Sequence, residues 1–301
     1  MREWVTRGFR AIYERLLRRE LSGAPTHVAI IQDGNRRYAR EHGEAAKEGH
    51  EAGAKTTERV LEWCAELGIE ELTIYAFSTE NFDRPAAERE HLYDLLAEKL
   101  YEFADSDRVH EDEVHIRVLG QTHRMPDRVQ EAIDYAQRQT VEYDALTLNV
   151  AIAYGGRAAL LEVTREVASD VARGELDPAT VDVDTIESRL YHGSMRDVDL
   201  IVRTGGDERT SNFLPWYANG NEAAAFFCTP YWPEFSKVDF LRAIRTYEAR
   251  EASWRQTRTR RALALVRALG DEVQGRRVLE RLGETLPDGE QPVEETDSPA
   301  D

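Results

Sequence analysis

The sequence predicts an α/β protein, a single domain with a mostly parallel central sheet of about six strands flanked by helices. Three observations lead there. Short apolar runs of strand length recur at 28–31, 72–77, 114–119, 146–153, 198–202 and 223–228. Longer stretches with apolar residues at helical spacing lie between them, and strands alternating with helices make a parallel sheet covered on both faces. No repeat or linker breaks the body. The 301 residues therefore divide into an N-terminal amphipathic helix (1–23), one domain (24–270) and an acidic tail (271–301).

In chain order, residues 3–21 place Val5, Phe9, Ile12 and Leu16 at helical spacing among Arg2, Arg7, Arg10, Arg15, Arg18 and Arg19. Two readings stand: a basic helix lying on an anionic membrane surface, or a helix packed on the body whose arginines answer an acidic surface. The first apolar run then leads into Gln32-Asp33-Gly34-Asn35-Arg36-Arg37-Tyr38. Gly34 lets the backbone turn sharply or approach a ligand. Free N–H groups at a following helix start favour negative charge, and Arg36 and Arg37 offer forked donors suited to phosphate. Asp33 makes sense there as the holder of a divalent cation bridging to phosphate oxygens. An ordinary Asp-Gly turn is the alternative.

Residues 45–67 read as a helix with Thr57, Val60, Cys64 and Leu67 inward, ended by Gly68. Lys47, Gly49, His50 and Gly53 stand near its start, where small residues admit a ligand or backbone. The second strand empties into Ser78-Thr79-Glu80-Asn81-Phe82-Asp83-Arg84-Pro85, a polar loop at the strand end where α/β sheets bind ligands. Turn formation and helix capping would also explain that loop. Residues 88–104 make a helix with Leu92, Leu95, Leu96, Leu100 and Phe103 inward. A third strand follows, then a helix marked by Val129, Ile133, Ala136, Thr140 and Tyr143. The fourth strand runs into Tyr154-Gly155-Gly156-Arg157 and a helix with Leu160, Val163, Val167 and Val171.

A short helix at 184–191 precedes the fifth strand, which delivers Arg203-Thr204-Gly205-Gly206-Asp207-Glu208-Arg209-Thr210-Ser211-Asn212-Phe213. This is again an apolar strand ending in arginines and paired glycines, a second anion site built like the first. Glu222 heads the sixth strand, and Pro230-Tyr231-Trp232-Pro233-Glu234-Phe235 forms a rigid aromatic turn. Helices fill 237–269. Residues 283–301 hold acids and prolines but no Lys or Arg, a composition that reads as disordered.

A net charge of −18 excludes a general nucleic-acid binder, which needs a cationic face. Acids spread along the chain suit a protein kept soluble in concentrated salt. Cys64 and Cys228 sit in apolar patterns without metal-ligand spacing, so no disulfide framework is expected and a cytoplasmic setting fits. No apolar run reaches a membrane span, and the first twenty residues lack a signal-peptide centre.

Residues 27–38, 77–85, 154–157 and 203–213, with Glu222, resemble the cis-prenyltransferases, the undecaprenyl diphosphate synthase family, over roughly residues 24–255. The Asp-Gly-Asn-Arg-Arg-Tyr form is most similar to the archaeal and eukaryotic dolichol-type branch, and with the spread acidity it points to an archaeal, salt-adapted relative. The resemblance implies addition of isopentenyl diphosphate units to an allylic diphosphate, geranylgeranyl or farnesyl, with each new double bond cis. The product would be a long polyprenyl diphosphate, precursor of a glycosyl carrier lipid. An apolar tunnel walled by the 88–104 helix and facing strands is implied, as are Mg²⁺ and a homodimer, with peripheral membrane contact left open.

Carried over by resemblance, Asp33 is the essential acid and Mg²⁺ ligand. Gly34, Asn35, Arg36 and Arg37 bind the allylic diphosphate, with Tyr38 beside them. His50, Ser78, Thr79 and Glu80 are polar residues of the site. Asn81 assists proton removal and is flanked by Phe82 and Arg84. Arg203, Arg209, Thr210 and Ser211 bind isopentenyl diphosphate, and Glu222 is a second metal ligand. The chain departs from the pattern in three places. Ala46 stands where many members have an arginine, with Lys47 next to it as a substitute point charge for the substrate, Asp207 stands for Glu, and Ser253-Trp254-Arg255-Gln256 occupies the region of a C-terminal Arg-x-Gly. Two other classes compete: a non-catalytic partner subunit, which would have lost the Asp-Gly-Asn site, and a Mg²⁺-dependent phosphohydrolase, which would need more clustered acids.

Overall fold

The computed structural model describes residues 12–190, 195–218 and 223–268. Two compact units are present, Met1–Glu248 and Ala249–Asp301. The second contributes the later part of helix α9 (Lys237–Ala268) to the described residues. The expected tail, the Glu222 metal ligand, and Val5 and Phe9 lie outside the described residues.

Six strands form one sheet in the order β3-β4-β2-β1-β5-β6, every pair parallel. They are β1 (His27–Ile31), β2 (Glu71–Ser78), β3 (Val114–Leu119), β4 (Leu146–Tyr154), β5 (Leu200–Arg203) and β6 (Ala224–Phe227). β1 is buried throughout, as a continuous apolar run covered on both faces should be. Val28, Ile30, Leu72 and Leu148 join one core with α3 (Ala46–Leu67), α4 (Ala86–Ala104) and α6 (Asp127–Thr140). Ala29, Ile31, Ala151 and Ile201 join the other, with α7 (Gly156–Arg173), Phe213 and Tyr217.

β1 connects onward to β2 on one side, and β5 connects to β6 on the other. Where neighbouring parallel strands send their chains in opposite directions, a crevice opens outside their carboxyl ends. The register there is pinned from the opposite end. The Asp199 carboxylate accepts hydrogen bonds from the Thr26 and His27 amides at 2.7 and 2.9 Å. His27, buried and held below its ordinary pKa chiefly by desolvation, contacts Thr73 Oγ1 at 2.7 Å. This alignment sets Ile31 opposite Arg203 and brings both anion loops to one crevice.

The structure corrects several expected elements. Residues 35–42 form a separate helix, α2 (Asn35–His42), closed by Gly43 before α3 begins. The polar loop is partly a 3-10 turn, Thr79–Asp83. A further short helix, α5 (Asp107–Glu111), precedes β3, and the helix expected at 184–191 is α8, Val183–Glu187. In the helix over 12–20 (α1), Leu17 is buried, while Ile12 and Leu16 are 58% and 51% exposed. The described part of the expected apolar stripe, Ile12 and Leu16, therefore does not face the body.

Candidate active site

The first loop turns at Gly34, whose φ of 105° suits glycine alone. A Cβ there would also stand 2.6 Å from the Tyr231 ring. The Asp33 backbone is clamped from two sides. Thr204 Oγ1 donates to Asp33 O at 2.7 Å, and Trp232 N donates to the same oxygen at 3.0 Å. Asp33 thus has a fixed main chain on which to present its carboxylate. That carboxylate meets Arg37 through Oδ1 at 3.0 Å and Arg203 through Oδ2 at 2.6 Å. Burial acts to raise the Asp33 pKa, but the Arg203 hydrogen bond and the Arg37 and Arg203 charges outweigh it and hold it below the usual value.

Arg203 is the hub of the second loop and only 3% exposed. Its guanidinium donates to Asp33, to Asp207 Oδ2 at 3.0 Å, to Arg209 O at 2.7 Å and to Ser211 Oγ. Its buried Nε has no partner among the described residues. Arg209 pairs with Asp207 at 3.2 Å and donates to Ser211 Oγ at 3.3 Å, yet its side chain is 67% exposed and open to an incoming anion. Gly205 adopts φ 83°, and a Cβ on it would press within 2.6 Å of Arg37 Nη2. Ser211 and Asn212 are held at φ 49° and 61°, a cost tolerated where surrounding bonds over-determine the chain. Those bonds come from Gly156 N to Asn212 O (2.9 Å) and Arg157 N to Asn212 Oδ1 (2.8 Å).

The third wall follows β2. Asn81 Oδ1 accepts from Ser78 N at 2.9 Å, closing a capping box with the Ser78 side chain. Thr79 lies against Gly155, where a Cβ would come 2.8 Å from its hydroxyl. Arg84 pairs with Glu88 at 2.8 Å, and the same Glu88 oxygen lies 3.5 Å from Arg36. Phe82 packs edge-on to Phe77 at 5.1 Å, with Arg124 over its ring at 4.1 Å. Desolvation, then the charges of Arg84, His91 and Arg36, push His50 down to about 4.

A basic pocket of about 590 Å³ collects Asp33, Gly34, Asn35, Arg36, Arg37, His50 and Arg84, with Gln32, Arg40, Glu44 and Ala46. Arg203, Arg209 and Ser211 reach it through the Asp33 contact. Lys47 does not line it: it is 59% exposed and pairs with Glu51 at 3.6 Å. Tyr38 instead packs on His42 at 4.2 Å. Glu80 is exposed, and Thr210 O accepts from Phe213 N at 3.0 Å. Sequence reasoning missed Thr204, Tyr231, Arg40 and Glu88. For Glu88 a signal existed, an acid four residues after Arg84 at a helix start.

Gln32, Asn35 and His50 also border an apolar cavity of about 110 Å³ between α3, α4 and the sheet, walled by Ile74, Leu92, Leu96, Leu100, Leu148 and Val150. Among the described residues no group of three or more His, Cys, Asp or Glu could hold a metal. Mg²⁺ needs only one or two protein carboxylates when phosphates complete its shell, so Asp33 beside the basic pocket fits a substrate-borne Mg²⁺. No helix among the described residues is long and apolar enough to cross a membrane.

Residues 31–255 match the family model described as "Putative undecaprenyl diphosphate synthase". A tritrans,polycis-undecaprenyl-diphosphate synthase (geranylgeranyl-diphosphate specific) of Halobacterium salinarum is 67% identical over 292 residues, 97% of each chain. Its namesake in Haloarcula marismortui is 63% identical over 93% of each chain. A crystal structure of lavandulyl diphosphate synthase from Lavandula x intermedia, in complex with dimethylallyl diphosphate, superposes with a TM-score of 0.68 at 30% identity, covering 74% of this chain and 95% of that one.

A parallel sheet whose chain-reversal crevice carries arginines around one carboxylate defines a class of anion-handling α/β enzymes. Within it, this chain belongs to the undecaprenyl diphosphate synthase family, the cis-prenyltransferases. Its reaction class is cis-prenyl chain elongation.

Proposed function

We propose that the protein condenses isopentenyl diphosphate repeatedly onto geranylgeranyl diphosphate, giving a long polyprenyl diphosphate of the undecaprenyl type for a glycosyl carrier lipid. The primer choice is supported by the two haloarchaeal relatives, both named as geranylgeranyl-diphosphate specific. One observation carries the reading: Asp33 bonds both Arg37 and Arg203, so the two anion loops share a wall. Gly34, Arg36, Arg37 and Arg84 would hold the allylic diphosphate, with Asn35 and His50 at the mouth of the apolar cavity that takes its hydrocarbon. Arg203, Arg209 and Ser211 would hold isopentenyl diphosphate.

Breaking the allylic C–O bond leaves a diphosphate that gains charge, and arginines aimed at it stabilise that charge more in the transition state than before it. A second diphosphate clamp orients the alkene over the allylic carbon. Mg²⁺ held by Asp33, with Glu222 as a second ligand, would neutralise the leaving diphosphate. Asn81 is a weak base whose oxygen already accepts from Ser78 N. Its amide would position the departing proton for released diphosphate or water.

The test is incubation with labelled isopentenyl diphosphate, Mg²⁺ and each primer in turn. Label should enter long products with geranylgeranyl diphosphate and vanish on chelation. Phosphate release without isopentenyl diphosphate would instead establish a hydrolase. The assembly is a homodimer in this reading, to be checked by light scattering. Ile12, Tyr13 and Leu16 are 58%, 43% and 51% exposed beside Arg15 and Arg19, which supports docking of α1 on an anionic membrane. Sedimentation with anionic vesicles, weakened by Ile12→Ser with Leu16→Ser, tests it.

A further inference from the structure

Tyr231 lies along one face of α2 and meets it at three places. Gly34, Arg37 and Glu41 are spaced three and four apart, so they share that face. The ring edge sits against Gly34, where an added Cβ would stand 2.6 Å away. The Arg37 guanidinium carbon lies over the ring, 5.5 Å from its centre. The hydroxyl donates to Glu41 Oε1 at 2.6 Å. That bond raises the Tyr231 pKa, so the hydroxyl stays protonated as a donor.

The tyrosine rests on a fixed main chain. Trp232 N donates to Asp33 O at 3.0 Å, Gly205 N to Pro230 O at 2.8 Å and Gly206 N to Cys228 O at 2.9 Å. The Trp232 indole donates to Gly53 O at 2.8 Å. The turn over 228–232 is thus bonded to both anion loops and to α3. The fold therefore places this ring without help from Arg37.

Arg37 gains from such a support. It lines the basic pocket, whereas Tyr231 does not. Its Nη2 is committed to Asp33 Oδ1 at 3.0 Å, which leaves the other donors of the fork for an anion in the pocket. A long cationic side chain loses rotamer freedom when held in one geometry. A fixed aromatic face beside the guanidinium attracts it and lowers the ordering that binding still requires.

We propose that Tyr231 is a positioning residue: its ring holds the Arg37 guanidinium in the orientation that meets the leaving diphosphate, and the Glu41 bond fixes the ring. This rests on the chain-elongation reading above. Tyr231 acts on the substrate only through Arg37, so its effect should disappear when Arg37 is gone.

The experiment combines steady-state kinetics with calorimetry of a non-cleavable thio analogue of geranylgeranyl diphosphate. Tyr231→Leu keeps a packing group against Gly34 but removes the aromatic face. It should lower kcat/KM for geranylgeranyl diphosphate and weaken analogue binding, each about ten-fold, with KM for isopentenyl diphosphate unchanged. Tyr231→Phe retains the face and loses only the Glu41 bond, so both falls should be about two-fold. In an Arg37→Ala background Tyr231→Leu should weaken analogue binding no further, a coupling that loss of packing alone would not produce. Thermal unfolding checks that each variant is folded. Tyr231→Met, whose flexible chain refills the space, takes the place of Tyr231→Leu should that variant melt early. An equal loss in the Arg37→Ala background, or Tyr231→Leu and Tyr231→Phe both matching the unaltered enzyme, overturns the proposal and leaves the prenyltransferase reading intact. Failure of the unaltered enzyme to incorporate isopentenyl diphosphate overturns both.

Discussion

Arg203 Nη2 lies 2.6 Å from Asp33 Oδ2 across 170 residues of sequence. That bond joins the loop after β1 to the loop after β5, where the sheet reverses its order. A bulky cation or a diphosphate entering here must work around it or replace it, so the two loops answer to each other.

Arg203→Lys tests the hub. A lysine has three donors on a point charge and cannot reproduce a fork that serves Asp33, Asp207, Arg209 O and Ser211 together. kcat/KM for isopentenyl diphosphate should fall about 100-fold, as for loss of an oriented donor at a reacting anion. Steady-state kinetics with each substrate varied will show it, and calorimetry should find allylic diphosphate binding far less affected.

Asp33→Asn tests the same bond from the other side. The folded pKa of Asp33 is depressed, against burial, by Arg203 and Arg37. A depressed carboxyl stabilises the fold above its unfolded pKa and loses that stabilisation as pH falls through the folded value. The unfolding midpoint of the variant should therefore lie below that of the unaltered chain at neutral pH. The gap should close below about pH 4.

His50 behaves oppositely in chemistry but not in sign. Desolvation first, then Arg84, His91 and Arg36, lower it from 6.5 to about 4, so the fold holds it neutral. Between those values the unfolded chain binds a proton that the native one refuses, and stability drops as pH falls through that window. His50→Gln should flatten the decline, worth on the order of 3 kcal/mol. Denaturant titrations across that pH range will measure it.

Gly49→Ala probes the α2–α3 contact beneath the first loop. Its Cβ would lie 2.2 Å from Asn35 O and 3.0 Å from Ala39 Cβ. Neither helix can yield easily, so a loss of about 1–3 kcal/mol is expected. Gly23→Ala, with nothing within 4 Å, is the control and should leave the unfolding midpoint unchanged.

The strands, the alternation with helices and the two arginine-bearing loops were all legible in the sequence, because apolar runs and glycine–arginine clusters are local signals. Their meeting was not. It depends on strand order, on the Asp199 contacts that align β1 with β5, and on the aromatic turn that sets Tyr231 against Gly34 and Arg37. Periodicity found the stripe of α1 but could not tell which side packs, and Leu17 rather than Leu16 proved to be inside. The resemblance offers Lys47 as a substitute for the arginine missing at Ala46, whereas α3 turns it toward Glu51. Glu88, which gathers Arg36 and Arg84, hid as an ordinary first-turn acid of α4.

The most direct test of the two-cradle account is a crystal structure with Mg²⁺, isopentenyl diphosphate and a non-cleavable thio analogue of the allylic diphosphate. One diphosphate should rest on Gly34, Arg36 and Arg37 and the other on Arg203, Arg209 and Ser211, with the reacting carbons in contact beside Asp33. Diphosphates held in separate cavities, with those carbons too far apart to bond, would contradict it.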